Sequence, residues 1–122
     1  MVDVVVAVGG WEHECCGGAI ERDQLVDLRC IRYTAPDGVV RLVESHHEVD
    51  VPAEERVQGR VTDVQVVPTG RDPQPILRVP SGEALRGFDR HDDGHLEDPW
   101  TGEVIPSVGR EFLVTVRASG RP

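Results

Sequence analysis

Gln24-Leu25-Val26-Asp27-Leu28-Arg29-Cys30-Ile31-Arg32-Tyr33 runs into Thr34-Ala35-Pro36-Asp37-Gly38 and out again through Val39-Val40-Arg41-Leu42-Val43-Glu44-Ser45-His46. In the first run Val26, Leu28 and Cys30 share a parity, so an extended chain puts them on one face. Pro36 presets φ for a turn, Asp37 bonds its own backbone, and Gly38 accepts a left-handed conformation. The second run then returns antiparallel, and the whole reads as a β-hairpin.

The same alternation recurs on both sides of the hairpin. Val2, Val4, Val6 and Val8 fall on one face of a first strand, and Phe112, Val114 and Val116 on one face of a closing strand, Glu111 to Arg117. Arg56 to Val67 is a long Val-rich strand whose phase slips: Val57 and Val61 share one parity, Val64 and Val66 the other. An extra residue near Thr62–Asp63, a β-bulge, accounts for the slip and would bend the strand. Val67-Pro68-Thr69-Gly70 and Val79-Pro80-Ser81-Gly82 are turn signals around a short strand, Ile76 to Val79. Asp50 to Glu55 reads as one helical turn opened by Pro52, and Glu83 to Arg86 as another. These elements predict an all-β domain: a small, partly open barrel of five or six strands with a long irregular acidic loop. Its expected core holds Val4, Val6, Leu28, Cys30, Leu42, Val61, Val64, Phe112 and Val114. The 122 residues suit one domain, spanning residues 1–122.

Thirteen arginines, with no lysine, face 22 acidic side chains, a net charge of −9. That balance argues against a non-specific grip on nucleic acid or an anionic membrane surface. The longest apolar run, Val4 to Val8, is too short to span a bilayer. The N-terminus carries Asp3 and no basic stretch, so it reads as a strand and not as a secretory signal. Three cysteines, two of them adjacent, do not make a disulfide framework, and they indicate free thiols in a cytoplasmic protein. The missing Lys and Asn, both with AT-rich codons, point to a high-GC genome.

Gly9-Gly10-Trp11-Glu12-His13-Glu14-Cys15-Cys16-Gly17-Gly18 is the chemically unusual segment. If it is extended, Trp11, His13 and Cys15 project from one face. Imidazole and thiolate are ligands for zinc and other soft metals, so the candidate metal ligands are Cys15, Cys16 and His13, with His47 from the end of the hairpin. The zinc reading competes with a reactive or redox thiol at Cys15 or Cys16 and with a structural turn in which the cysteines pack as small apolar residues. Cys30, between Leu28 and Arg32, reads as core filler. The opening strand followed by Trp11-x-x-x-Cys15-Cys16-Gly17, with Val57-x-Gly59-x-Val61 later, resembles a family of uncharacterised small actinobacterial proteins. That family has no assigned activity, so the resemblance implies no catalytic role, and His13 and Gly18 lie outside its pattern.

Two further clusters contain histidine. Glu44-Ser45-His46-His47-Glu48 ends the hairpin, where adjacent histidines on a strand face opposite ways and read as a solvated strand end. Asp89, His91, Asp93 and Gly94 fill positions 1, 3, 5 and 6 of a calcium loop, but position 12 is Trp100 instead of the required Glu. A solvated, mobile loop over Asp89 to Glu103 is the expectation there, with a transition metal at His91 and His95 as the alternative. The functional expectation is therefore a small binding module for a soft metal, with an unknown small ligand or protein as partner. The alternatives are a thiol-dependent enzyme or redox protein and a metal-free interaction module. An enzyme is the less favoured reading, because no carboxylate pair or triad stands out.

Overall fold

The computed structural model describes residues 2–9, 13, 17–34, 36, 38, 40–44, 54–68, 72–105 and 111–118. In chain order the elements are β1 (Val2–Gly9), β2 (Ile20–Glu21), β3 (Leu25–Thr34), β4 (Val40–Glu44), β5 (Glu54–Val67), β6 (Gln74–Pro75), β7 (Arg78–Val79), α1 (Gly82–Leu85), β8 (Leu96–Glu97), β9 (Val104–Ile105) and β10 (Glu111–Ala118). The main sheet runs β10-β1-β4-β3-β5-β6, and β10 also pairs with β5, so five strands close into a barrel with β6 outside the ring. The ring is closed where the sequence reading left it partly open. β2–β7 and β8–β9 form two small antiparallel pairs.

β5 makes closure possible because it serves two neighbours. Its first half pairs with β3, from Glu54 opposite Ile31 to Arg60 opposite Leu25, and its second half pairs with β10. Thr115 lies opposite Asp63 and Val116 opposite Val61, which leaves Thr62 as the extra residue of a bulge. The bulge resets the alternation, and Val57, Val61, Val64 and Val66 all point into the core despite their mixed parity. Gly59 sits where β5 is held between β3 and β10, and a Cβ there would stand 2.2 Å from the Arg117 carbonyl oxygen. Only glycine allows that approach.

The core contains Val6, Leu28, Cys30, Val61, Val64, Phe112 and Val114 as expected, with Val4 and Leu42 half-buried against it. The Cys30 thiol is fully buried and points at the Leu28 carbonyl, 3.7 Å away. Ile20, Ile76, Val79 and Leu96 join this core from the short strands and their flanks. Arg22 ties the β2–β3 turn down: its guanidinium donates to the Ile76 and Val64 carbonyls and pairs with Asp63 at 3.0 Å.

Two expectations are corrected. Glu54 and Glu55 belong to β5 and not to a helical turn, because pairing with Ile31 and Cys30 extends the ladder to them; residues 50–53 lie outside the described set. The strand expected over Ile76 to Val79 shrinks to β7, Arg78–Val79, paired with β2, while β6 just before it, Gln74–Pro75, pairs with β5. Between them the chain changes neighbours: Ile76 N–H donates to Val64 and Leu77 N–H to Glu97. The acidic stretch is irregular as expected, with turns and unpaired backbone over most of its length. It contains β8 and leads into β9, with Leu96 only 2% exposed.

Candidate functional site

His13 is the only buried polar or charged residue among the described ones, at 1% exposure. Its backbone is helical, and the Gly17 N–H donates to the His13 carbonyl at 2.8 Å. The extended conformation read from the sequence therefore does not hold at His13.

Three contacts orient the imidazole. Nε2 lies 2.7 Å from the Pro80 carbonyl oxygen, which can only accept, so Nε2 carries the proton and donates. The ring meets Phe112 edge to face, with centroids 6.0 Å apart. Gly17 presses against it: a Cβ there would stand 2.0 Å from Nδ1, 2.6 Å from Cε1 and 2.8 Å from Cγ. The nearest of these is Nδ1 itself, so glycine at position 17 is what leaves room beside that nitrogen. With Nε2 protonated, neutral imidazole leaves Nδ1 as a bare acceptor. That buried nitrogen has no hydrogen-bond partner among the described residues. A second bond holds the same segment, from Gly82 N–H to the Gly17 carbonyl at 2.9 Å.

Cys15, Cys16 and His47, the other predicted ligands, lie outside the described residues, as do Trp11 and His46. Their described neighbours in sequence share a cleft of about 240 Å³, lined by Gly18 and Glu44 together with residues of β2 and β3. Cys16 is two residues before Gly18 and His47 three after Glu44. Among the described residues alone, no group of three or more His, Cys, Asp or Glu side chains is arranged to hold a metal ion.

The acidic segment contrasts with this. Asp89 accepts from the His91 N–H at 2.9 Å, Asp92 from Gly94 N–H at 2.9 Å, and Asp98 from Trp100 and Thr101 N–H at 2.8 and 3.0 Å. Asp92 also pairs with Arg78 at 2.7 Å, and this guanidinium holds its carboxyl below the usual range. His95 has both ring nitrogens engaged, Nδ1 by Asp93 and Nε2 by Glu97 at 3.3 Å. Asp93, then Glu97, raise its pKa above the ordinary 6.5. An open cleft of about 480 Å³ lies between Arg78, Arg90 and the Asp89–His95 turn. The carboxylates a calcium loop would use are bonded to their own backbone, and a metal at His95 would have to displace two carboxylates.

Sequence reasoning singled out His13 but missed Pro80, Gly82 and Phe112 as the groups that position it. The available signal was Val79-Pro80-Ser81-Gly82, read only as a turn. No family model, curated protein or solved structure matches the chain, and the site is read from its own chemistry.

Proposed function

We propose that this chain is a small cytoplasmic binding module that holds a soft metal ion, zinc in the first instance, at its Cys15–Cys16 turn with His13 Nδ1 as a ligand and His47 completing the set. The observation that carries this reading is the state of His13. A metal-ligating histidine almost always donates its other ring N–H to a carbonyl or carboxylate, which fixes the tautomer and aims the free nitrogen. His13 has that arrangement, with Nε2–H on the Pro80 carbonyl and a buried Nδ1 that no described residue bonds. Leaving such a nitrogen unsatisfied costs about 1–3 kcal/mol, a cost that a bound cation would remove. Two adjacent cysteines within three residues of His13 supply thiolates suited to zinc or monovalent copper. The shared cleft at Gly18 and Glu44 favours His47 as the second imidazole. No described helix is long and apolar enough to cross a membrane.

The test is elemental analysis of protein purified without a histidine tag. About one zinc per chain is expected, lowered by Cys15→Ser, Cys16→Ser and His13→Gln and unchanged by Cys30→Ser, which removes only a core group. Binding should weaken below about pH 6, because the ligands must lose protons to coordinate. The same bare nitrogen would also serve as a base for a reactive thiol. In that case one cysteine alkylates rapidly in metal-free buffer and chelators have no effect. Metal well below one per chain, unaffected by the serine substitutions, overturns the metal reading.

A further inference from the structure

β8 and β9 form a hairpin whose tip, residues 98–103, is held by its own bonds. Asp98 Oδ1 accepts from the Trp100 and Thr101 N–H groups at 2.8 and 3.0 Å, and the Asp98 carbonyl accepts from Gly102 N–H at 2.9 Å. Asp98 N–H donates to the Glu103 carbonyl at 2.9 Å, and Thr101 Oγ1 accepts from Glu103 N–H at 3.2 Å. Gly102, at φ 74°, supplies the left-handed conformation the turn needs. The base of the hairpin is anchored in the core by Leu96, with Ile105 packed against it. Its outer side is apolar where water is the only neighbour. Trp100 at the tip is 76% exposed and Val104 65%. Val104 lies opposite Glu97, whose carbonyl accepts from the N–H of Leu77, itself 40% exposed. The other strongly exposed aromatic, Phe88, is already covered by the Arg86 guanidinium, 5.1 Å from its ring centroid. Among the described residues Trp100 has no such cation or ring upon it.

We propose that the β8–β9 tip, with Trp100 as anchor and Val104 and Leu77 beside it, docks a basic, amphipathic segment of another protein. Tryptophan is enriched among the side chains that carry binding energy at interfaces, because it buries a large apolar surface with few rotatable bonds. A turn already ordered by its own hydrogen bonds gives up little conformational freedom on docking. Charge selects the occupant. From Asp89 to Glu103 the chain carries six carboxylates against one arginine. Phosphate-bearing surfaces are repelled there, and a second copy of a chain with net charge −9 would bring acid to acid. A segment with arginine or lysine on one side and apolar groups on the other meets both demands. Its cations sit over the indole face and among the carboxylates, and its apolar groups cover Val104 and Leu77. The proposal stands apart from the metal reading, since it uses none of the candidate ligands.

The experiment titrates the full chain into a dye-labelled helical peptide of about 18 residues, leucine on one face and arginine on the other, followed by anisotropy. Saturable binding is expected, weakening as salt is added. Trp100→Ala should weaken it at least tenfold while leaving the urea midpoint unchanged, since the ring lies outside the fold. A peptide of equal charge with serine in place of leucine should also bind at least tenfold more weakly, and one with glutamate in place of arginine not at all. Trp100→Ala binding as tightly as wild type, or the serine peptide binding as tightly as the leucine one, reduces the contact to bulk charge attraction and overturns the proposal. Absence of binding at millimolar peptide overturns it too. A wild-type dimer in sedimentation that Trp100→Ala dissolves overturns the stated occupant in favour of a second copy. None of these outcomes touches the metal reading, which the elemental analysis decides.

Discussion

His13 and His95 receive opposite treatment in one small domain. His95 is about one-third exposed and sits between Asp93 and Glu97, each two residues away, so its own turn satisfies both ring nitrogens. His13 is buried, takes its partner from a distant part of the chain, and among the described residues has a partner on one nitrogen only. Histidines beside acids attract attention in a sequence, yet local carboxylates are what neutralise His95 as a ligand. A long-range carbonyl, invisible in sequence, is what frees Nδ1 of His13. Buried polar groups left open are rare in native structures, and each one calls for an explanation.

Substitutions can break that contrast or sharpen it. The largest effect is expected from Gly17→Ala, whose methyl would collide with His13 Nδ1. The ring would have to leave Pro80 or Phe112, and overpacking of this kind costs about 1–3 kcal/mol, read as a lower urea midpoint. A Gly17→Ala protein as stable as wild type would mean that His13 is not wedged. Asp92→Asn should cost less, about 1 kcal/mol, since its pair with Arg78 is only partly buried. Asp92 has a lowered folded pKa, so its contribution is present above the unfolded value of 3.8 and is lost as pH falls through the folded value. The stability difference between wild type and Asp92→Asn should therefore shrink below about pH 4 in acid titrations followed by circular dichroism. The smallest effect belongs to His95. Its folded pKa is raised, so its contribution is complete below 6.5 and fades as pH rises through the folded value. An NMR titration should find the His95 midpoint above 6.5, lowered by Asp93→Asn. An unchanged midpoint would remove the carboxylate clamp from the comparison.

Most of the barrel is legible in residue order because strands advertise their inward face with period two. The β3–β4 hairpin, the buried faces of β1 and β10, and the Thr62 bulge all follow from that pattern and appear in the structure. Where the pattern failed, a tertiary partner decided. Glu54 and Glu55 look like the start of a helix but complete the ladder to β3, and residues 74–79 change neighbours halfway. Leu96 and Ile105 find each other across a run of turns whose composition alone gives no hint of a core. The candidate site was legible only as chemistry. Cys15, Cys16 and His13 stand out by residue type, while the helical turn at His13 and its Pro80 partner depend on the folded chain.

The closing seam of the barrel has a consequence for synthesis. β1 pairs with β10 along its whole length, from Val2 opposite Ala118 to Gly9 opposite Glu111, whereas its bond to β4 rests on Val6 and Ala7. β1 thus waits, once synthesised, for a partner about a hundred residues further along the chain. At about 5–20 residues per second, a hundred residues take on the order of ten seconds. Through that interval a valine-rich strand with unsatisfied edges is available to neighbouring chains, the situation in which β-aggregation begins. Asp3 is the only charge within β1, and one charge inside such a strand is what discourages stacking with copies of itself. For this chain, Asp3→Val should lower soluble yield on expression even where the folded barrel tolerates the change.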